Sequence, residues 1–238
     1  MLPLELFRNP VIAVSSVGSV IIGTILFSST AFVPMFAQGV LGGTALDAGL
    51  TLAPMSIGWP IASTTAGWLL LRTGYRPLTI LGGLSGFTGA ALLATADVGA
   101  PPALLMGAML VVGLGLGLMS TPYLVAVQNA VPWERRGVAT SSVQFFRTIG
   151  GAIAVAAFGT LLNARMESRT GVVLDPNVAM DPALRDAVDP AALDVLREAL
   201  AHGLHAVYVG VAIIAVSGFL VALAFPRGSA RSQAHGGG

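Results

Sequence analysis

Six charge-free stretches divide this chain: Asn9 to Leu46, Ala48 to Leu71, Pro77 to Ala96, Val98 to Trp133, Thr148 to Ala164 and Ala199 to Pro226. A helix needs roughly 20 mostly apolar residues to cross a hydrocarbon core about 30 Å thick. All but the fifth reach that length unaided. The fifth must take in the turns before Arg147, so its helix is expected to start near Val138 and to carry that arginine inside the membrane. Charged residues make up only 10% of the chain and mean hydropathy is +0.82, whereas about a quarter of a soluble domain is charged. The pattern reads as an all-α polytopic membrane protein with six transmembrane helices, at about 11–36, 47–71, 77–96, 103–130, 138–162 and 203–225.

Arginine in the short loops sets the orientation, because cytoplasmic loops retain positive charge. With the N-terminus inside, Arg8, Arg72, Arg76, Arg135, Arg136, Arg227 and Arg231 all fall on the cytoplasmic side. The short loops on the opposite side, around Gly39–Thr44 and Asp97–Pro102, carry no base. Both termini are therefore expected to be cytoplasmic, in a multi-pass protein of the inner (cell) membrane. Residues 1–10 read as a cytoplasmic segment, 11–225 as the six-helix body, about 163–201 as a net-acidic external cap loop, and 226–238 as a disordered polar tail. In the cap, Asp181-Pro182 and Asp189-Pro190 each place a capping carboxylate before a proline at the first helical position. Two short helices are expected there, and Leu193, Leu196 and Leu200 form an apolar stripe suited to lie on the membrane surface and run into the last span.

Glycine occurs 30 times and cysteine not at all. Small residues let helices approach closely in lipid, where apolar burial no longer drives association. Gly113 and Gly117 form such a face on the fourth span, and Gly150 and Gly151 are packing candidates on the fifth. The run Gly113, Gly115, Gly117 is not a nucleotide fingerprint, since no strand precedes it and Leu118 stands where a third glycine is required. The lack of cysteine excludes a disulfide framework and thiolate metal sites. His202 and His205, at i and i+3, read as interfacial anchors. No metal, cofactor or nucleic acid is expected.

Two segments carry a family resemblance. Gly67-Trp68-Leu69-Leu70-Leu71-Arg72-Thr73-Gly74-Tyr75-Arg76 resembles the Gly-x-x-x-Asp-Arg-x-Gly-Arg-Arg loop of the major facilitator superfamily, with Leu71 in the place of the aspartate, as in the weaker copy found in C-terminal halves. The stretch from Gln128 through Pro132, Trp133, Glu134, Arg135, Arg136, Gly137 and Arg147 to Gly150, Gly151 and Ala152 resembles the loop between spans 12 and 13 of fourteen-span drug:proton antiporters of the EmrB/QacA type. Leu2–Asn9 is similar to the segment before their ninth span. The resemblance implies one half of a facilitator fold, built from inverted three-helix repeats, with substrate bound between two halves near the midplane. It further implies spans 9 to 14 of a proton-driven multidrug or antibiotic efflux transporter that works by alternating access. The implied partners are the lipid bilayer, an N-terminal half of eight spans or a second copy, and a small amphipathic drug-like substrate.

Proton coupling needs a titratable group within the membrane, and no acid lies inside any expected span, so the resemblance places the proton site in the other half. Arg147 is the one intramembrane charge, a functional candidate by default. It reads either as an anchor that snorkels to the inner interface or pairs with Glu134, or as a substrate or gating group. Ser15, Ser19 and Thr24 on the first span, Trp59 and Ser63 on the second, Tyr123 and Gln128 on the fourth and Phe145 on the fifth are candidates for the substrate cavity. Arg72, Gly74, Arg76, Glu134, Arg135 and Arg136 are candidates for gating or anchoring at the inner loops. The competing reading is an inactive truncated remnant, or a non-transporting membrane protein that docks to a partner through its helix faces. An intramembrane enzyme is disfavoured, because the spans hold no His-Glu-x-x-His, no paired aspartates and no serine with a usable base.

Overall fold

The computed structural model describes residues 8–170, 175–185 and 188–225. Regular structure among the described residues is helical: α1 Pro10–Met35, α2 Ala45–Thr73, α3 Tyr75–Ala94, α4 Pro102–Asn129, α5 Arg136–Thr170, the one-turn helices α6 Asn177–Met180 and α7 Pro182–Arg185, and α8 Pro190–Leu223. The long helices alternate in direction. Arg8, Arg72, Arg76, Arg135 and Arg136 gather at one end of the bundle, here the basic end, and α6 and α7 sit at the other, the cap end. The expected tail, the opening segment up to Phe7, and Asp186 lie outside the described residues.

The chain punctuates its helices chemically. The Asn9 side chain accepts from Val11 N at 2.9 Å and Pro10 opens α1, while Thr44 and Asp47 form a reciprocal capping box at the start of α2. Gly74 both ends α2 and starts α3 at φ 79°, a left-handed conformation that favours glycine. Beyond Pro34, α1 widens into a π-turn over Phe36–Val40. Asp189 accepts from Ala191 N at 2.8 Å and Pro190 opens α8.

Two expectations are corrected, and a third is met unevenly: among the described residues five helices are by themselves long and apolar enough to cross a membrane. The exception is α2: it has the length, at 29 residues, but its Pro54, Trp59, Pro60 and the run Ser63-Thr64-Thr65 dilute its apolarity, and it holds its place by packing along α4. The fifth helix runs on to Thr170 rather than ending near 162. Secondly, the short helix expected at Asp189-Pro190 is not short: it runs into the last span as one helix. Nothing between Ala191 and His202 breaks a helix, so α8 is continuous from Pro190, and Leu196 and Leu200 are buried in the cap end of the bundle instead of lying on a membrane surface.

The long helices pair in a pattern with internal symmetry. The first helix of each triplet packs along the second helix of the other: α1 on α5, and α4 on α2. Exchanging the triplet α1–α2–α3 with α4–α5–α8 reproduces these pairs, as two interlocked three-helix repeats require. α3 contacts α4 and α8, and α8 closes against α5 and α1. That places α3 and α8 at the back of the bundle, with α2 and α5 flanking the α1–α4 pair at the front.

Glycines set the distances. An ideal Cβ on Gly113 would stand 2.6 Å from the Met55 carbonyl oxygen, and one on Gly117 would stand 2.6 Å from that of Trp59, both on α2. Gly115, between them in sequence, turns the other way and abuts Gly86 N of α3 at 2.6 Å. On α5, Gly150 meets the backbone of Val20, and Gly151 meets the ring of Phe27. The contacts of Gly113, Gly115, Gly117 and Gly150 let two backbones approach closely enough for dispersion to hold them. Gly117→Ala should therefore destabilise the chain by about 1–3 kcal/mol in thermal unfolding of detergent-purified protein, whereas Gly107→Ala, where nothing lies within 4 Å, should be neutral. Equal melting temperatures for the two variants would contradict this packing.

Candidate functional site

Arg147 lies about three turns into α5, roughly 16 Å from its start, level with the middle of α1 and of α2. Its guanidinium carbon sits over the Trp59 ring at 5.8 Å from the centroid. Trp59 is fixed in turn, because its indole N–H donates to Ser120 Oγ on α4 at 3.2 Å. Beside it, the Thr121 hydroxyl donates to the Ser63 carbonyl at 3.4 Å. Three helices thus hold one constellation at the front of the bundle: Arg147 from α5, Trp59 from α2 and Ser120 from α4.

The environment of Arg147 settles how its charge is held. It makes no ion pair among the described residues, and its Nε is buried without a hydrogen-bond partner. Glu134 is exposed in the turn Trp133–Arg135 at the basic end, so the anchor expected from sequence, a head reaching Glu134 or the inner interface, is not what forms. A π-face supplies the compensation at mid-depth, where a cation over an aromatic ring gains about 0.5–2 kcal/mol. Gly23 on α1 makes room for it: any Cβ there would run into the Arg147 carbonyl.

The other sequence candidates divide. Ser15 and Ser19 are fully buried, and the Ser19 hydroxyl donates to the Ser15 carbonyl at 2.7 Å. Thr24 donates to the Gly150 carbonyl at 3.5 Å, tying α1 to α5. Tyr123 is fully buried against Gly18 and the Phe225 ring, 5.7 Å between centroids. Gln128 donates to Thr140 Oγ1 at 3.0 Å, bracing α4 against α5. Burial keeps Ser15, Ser19, Thr24 and Tyr123 off the open face of this bundle, whereas Gln128 is half-buried; Thr24 and Gln128 tie one helix to another, and the Ser15 and Tyr123 hydroxyls are buried without a partner among the described residues. Trp59 and Ser63 stay half-buried at the front, and Phe145, 46% exposed, meets Phe146 edge-on at 5.6 Å.

At the basic end Arg72 lies over Trp68 at 4.1 Å and Arg136 over Trp133 at 4.9 Å. Arg135 is exposed, and Arg76 is half-buried with its Nε unpartnered. These bases sit on or beside the inter-helix turns, away from Arg147.

Exposed polarity distinguishes the front from the back. Ser56 on α2, and Ser141 and Gln144 on α5, are exposed within their helices and make no side-chain hydrogen bond among the described residues. An exposed amide such as that of Gln144 is costly against lipid tails. At the back, α3 and α8 expose Leu81, Leu84, Val209, Ile213, Val216 and Leu220, and the exposed Thr88 hydroxyl is absorbed by the Leu84 carbonyl at 2.9 Å. The back suits lipid, and the front suits water or a second protein surface. Sequence reading missed Ser120 and Gly23. For Gly23 the Ser19-x-x-x-Gly23 spacing was a usable signal, whereas nothing in sequence marks Ser120 as the partner of Trp59.

A family model described as Major Facilitator Superfamily matches residues 2–155. An uncharacterized MFS-type transporter of Mycobacterium tuberculosis is 34% identical over 232 residues, covering 94% of this chain and 33% of its own length. The multidrug transporter protein MdtP of Bacillus subtilis is 34% identical over 165 residues, covering 69% of this chain and 30% of its own length. The chain therefore spans about a third of the length of these relatives. In fold it is similar to the solved structure of the transporter FucP in the outward conformation, with a TM-score of 0.74 at 20% identity, covering 98% of this chain and 53% of that one.

Coupling between the two central side chains is measurable without transport. Trp59→Leu should destabilise the chain by about 1–2 kcal/mol, by leaving a mid-depth cation with no compensating face. Adding Arg147→Leu should recover most of that loss in thermal unfolding. Additive losses in the double variant would show that the two side chains do not interact.

Proposed function

We propose that this chain, which belongs to the major facilitator superfamily, is the C-terminal half, spans 9 to 14, of a fourteen-span proton-driven efflux transporter of the EmrB/QacA type. Its substrates are small amphipathic drug-like compounds, carried by alternating access between two halves. The observation that carries this reading is the polar front of α2 and α5 around Arg147 and Trp59, set opposite an apolar back. One half supplies one wall of a midplane cavity, and a wall needs polar groups that lipid would not tolerate. The order of the two loop motifs along the chain supports the half and its type. Similarity to a protein named as a multidrug transporter supports the substrate class.

The coupling acid belongs, on this reading, to the complementary half. Among the described residues Asp47 sits in the first turn of α2, Asp97 in the α3–α4 loop and Glu134 in the α4–α5 turn, and none reaches the level of Arg147. The basic end, with both termini, is assigned to the cytoplasm of the cell's inner membrane by its arginines. The complementary surface is an eight-span N-terminal half, or a second copy. The test is efflux of a neutral lipophilic dye, N-phenyl-1-naphthylamine, from cells expressing the chain alone or joined to an eight-span half. The chain alone should match an empty-vector control, and the joined form should extrude dye until a protonophore is added. Proton-dependent efflux by the chain alone would contradict the division of labour, and loss of efflux from the joined form would contradict the transporter.

A further inference from the structure

The wall formed by this half carries a single charge, and that charge is positive. We propose that Arg147 is an oxyanion-recognition point, and that the amphipathic substrates this half selects carry a carboxylate or equivalent anionic group. The proposal rests on the transporter reading above and narrows its substrate class.

Three observations support it. First, the Arg147 Nε is buried and unpartnered, while its terminal nitrogens make no hydrogen bond or ion pair among the described residues and are not among the buried atoms. They therefore keep some access from outside the helix packing, in a residue that is half-buried overall. Second, Trp59 presents its ring to the guanidinium carbon at 5.8 Å and offers no oxygen acceptor, so no hydrogen bond to it occupies a guanidinium donor. The Trp59–Ser120 hydrogen bond at 3.2 Å holds that ring as a fixed backing. Third, no carboxylate on the described helices stands at this level to receive a cation; the neighbouring polar groups are the neutral Ser63, Thr121, Gln144 and Thr148. In a low-dielectric cleft an unneutralised guanidinium repels a cationic ligand and attracts an anion. Its planar fork matches a carboxylate with two parallel N–H···O bonds. The apolar part of such a ligand would lie along Trp59 and Phe145.

Carboxylate oxygens reach Arg147 either from a substrate or from an acid on the complementary half, and the experiment separates the two. The purified 238-residue chain in nanodiscs is titrated with 1-pyrenebutyrate and with its methyl ester, reading quenching of tryptophan fluorescence against empty nanodiscs. Wild type should bind the acid at least about tenfold more tightly than the ester. Arg147→Gln should abolish the preference while retaining the ester affinity, and Arg147→Lys, which keeps the charge and loses the fork, should keep part of it. Circular dichroism of each variant excludes unfolding as the cause. Equal binding of acid and ester by wild type, or a preference that survives Arg147→Gln, overturns the proposal. The same titration on the joined two-half protein supplies the second arm. A preference that disappears there, together with separation of the halves in Arg147→Gln, assigns the carboxylate to the complementary half and overturns the substrate assignment. Efflux of the neutral dye by the joined form reads the transporter hypothesis independently, so the failure of one is not mistaken for failure of the other.

Discussion

Two glycine contacts determine where the chemistry of this molecule sits. Gly117 of α4 abuts the carbonyl of Trp59, and Gly23 of α1 abuts the carbonyl of Arg147. Both residues that meet across the front thus have their backbones pressed against a glycine of a neighbouring helix. In lipid there is no general apolar drive to bring helices together, so such backbone approaches fix helix positions. With α2 seated on α4 and α5 seated on α1, Trp59 and Arg147 come within reach of each other across the gap between the triplets. A methyl group at either glycine would move one side of the constellation relative to the other.

The pairing explains how a cation is tolerated at mid-depth with no carboxylate beside it. The Trp59 ring faces the guanidinium, Ser120 satisfies the indole N–H, and close packing excludes lipid from the Nε side. What stays open is the front, where Ser56, Ser141 and Gln144 are exposed without partners. The back carries leucine, isoleucine and valine. This asymmetry gives the bundle a side meant for lipid and a side meant for something polar, and the internal exchange symmetry of the helix pairs places both triplets on the polar side together.

Much of this architecture was legible in the sequence, for reasons that differ from element to element. Charge-free length located the long helices because the bilayer imposes it, and Asn9, Thr44, Gly74 and Asp189 marked boundaries because caps and turns demand those residue types. The spacing of Gly113 and Gly117 gave the α4 face correctly, since a four-residue interval keeps both on one side of a helix. The polar candidates were less legible. Ser15, Ser19, Thr24 and Tyr123 share their composition with cavity residues, and only tertiary placement shows that they are buried between helices. Arg147 was conspicuous as a buried charge, but its partner was not: Trp59 lies 88 positions away in the sequence, on a helix of the opposite triplet. The run of the leucine stripe into the last span was legible, but the burial of Leu196 and Leu200 was not, because an Asp-Pro start signal says nothing of what will cover the helix.

The central claim is that the α2–α5 side faces an aqueous cleft while α3 and α8 face lipid. Single cysteines at positions 56, 144 and 148 on the front and 81, 213 and 216 on the back, introduced into the naturally cysteine-free chain, can be probed in proteoliposomes of the joined two-half protein with a charged methanethiosulfonate reagent. The account predicts fast modification at 56, 144 and 148 and none at 81, 213 and 216. Uniform protection of the front, or modification of the back at the same rate, would contradict it.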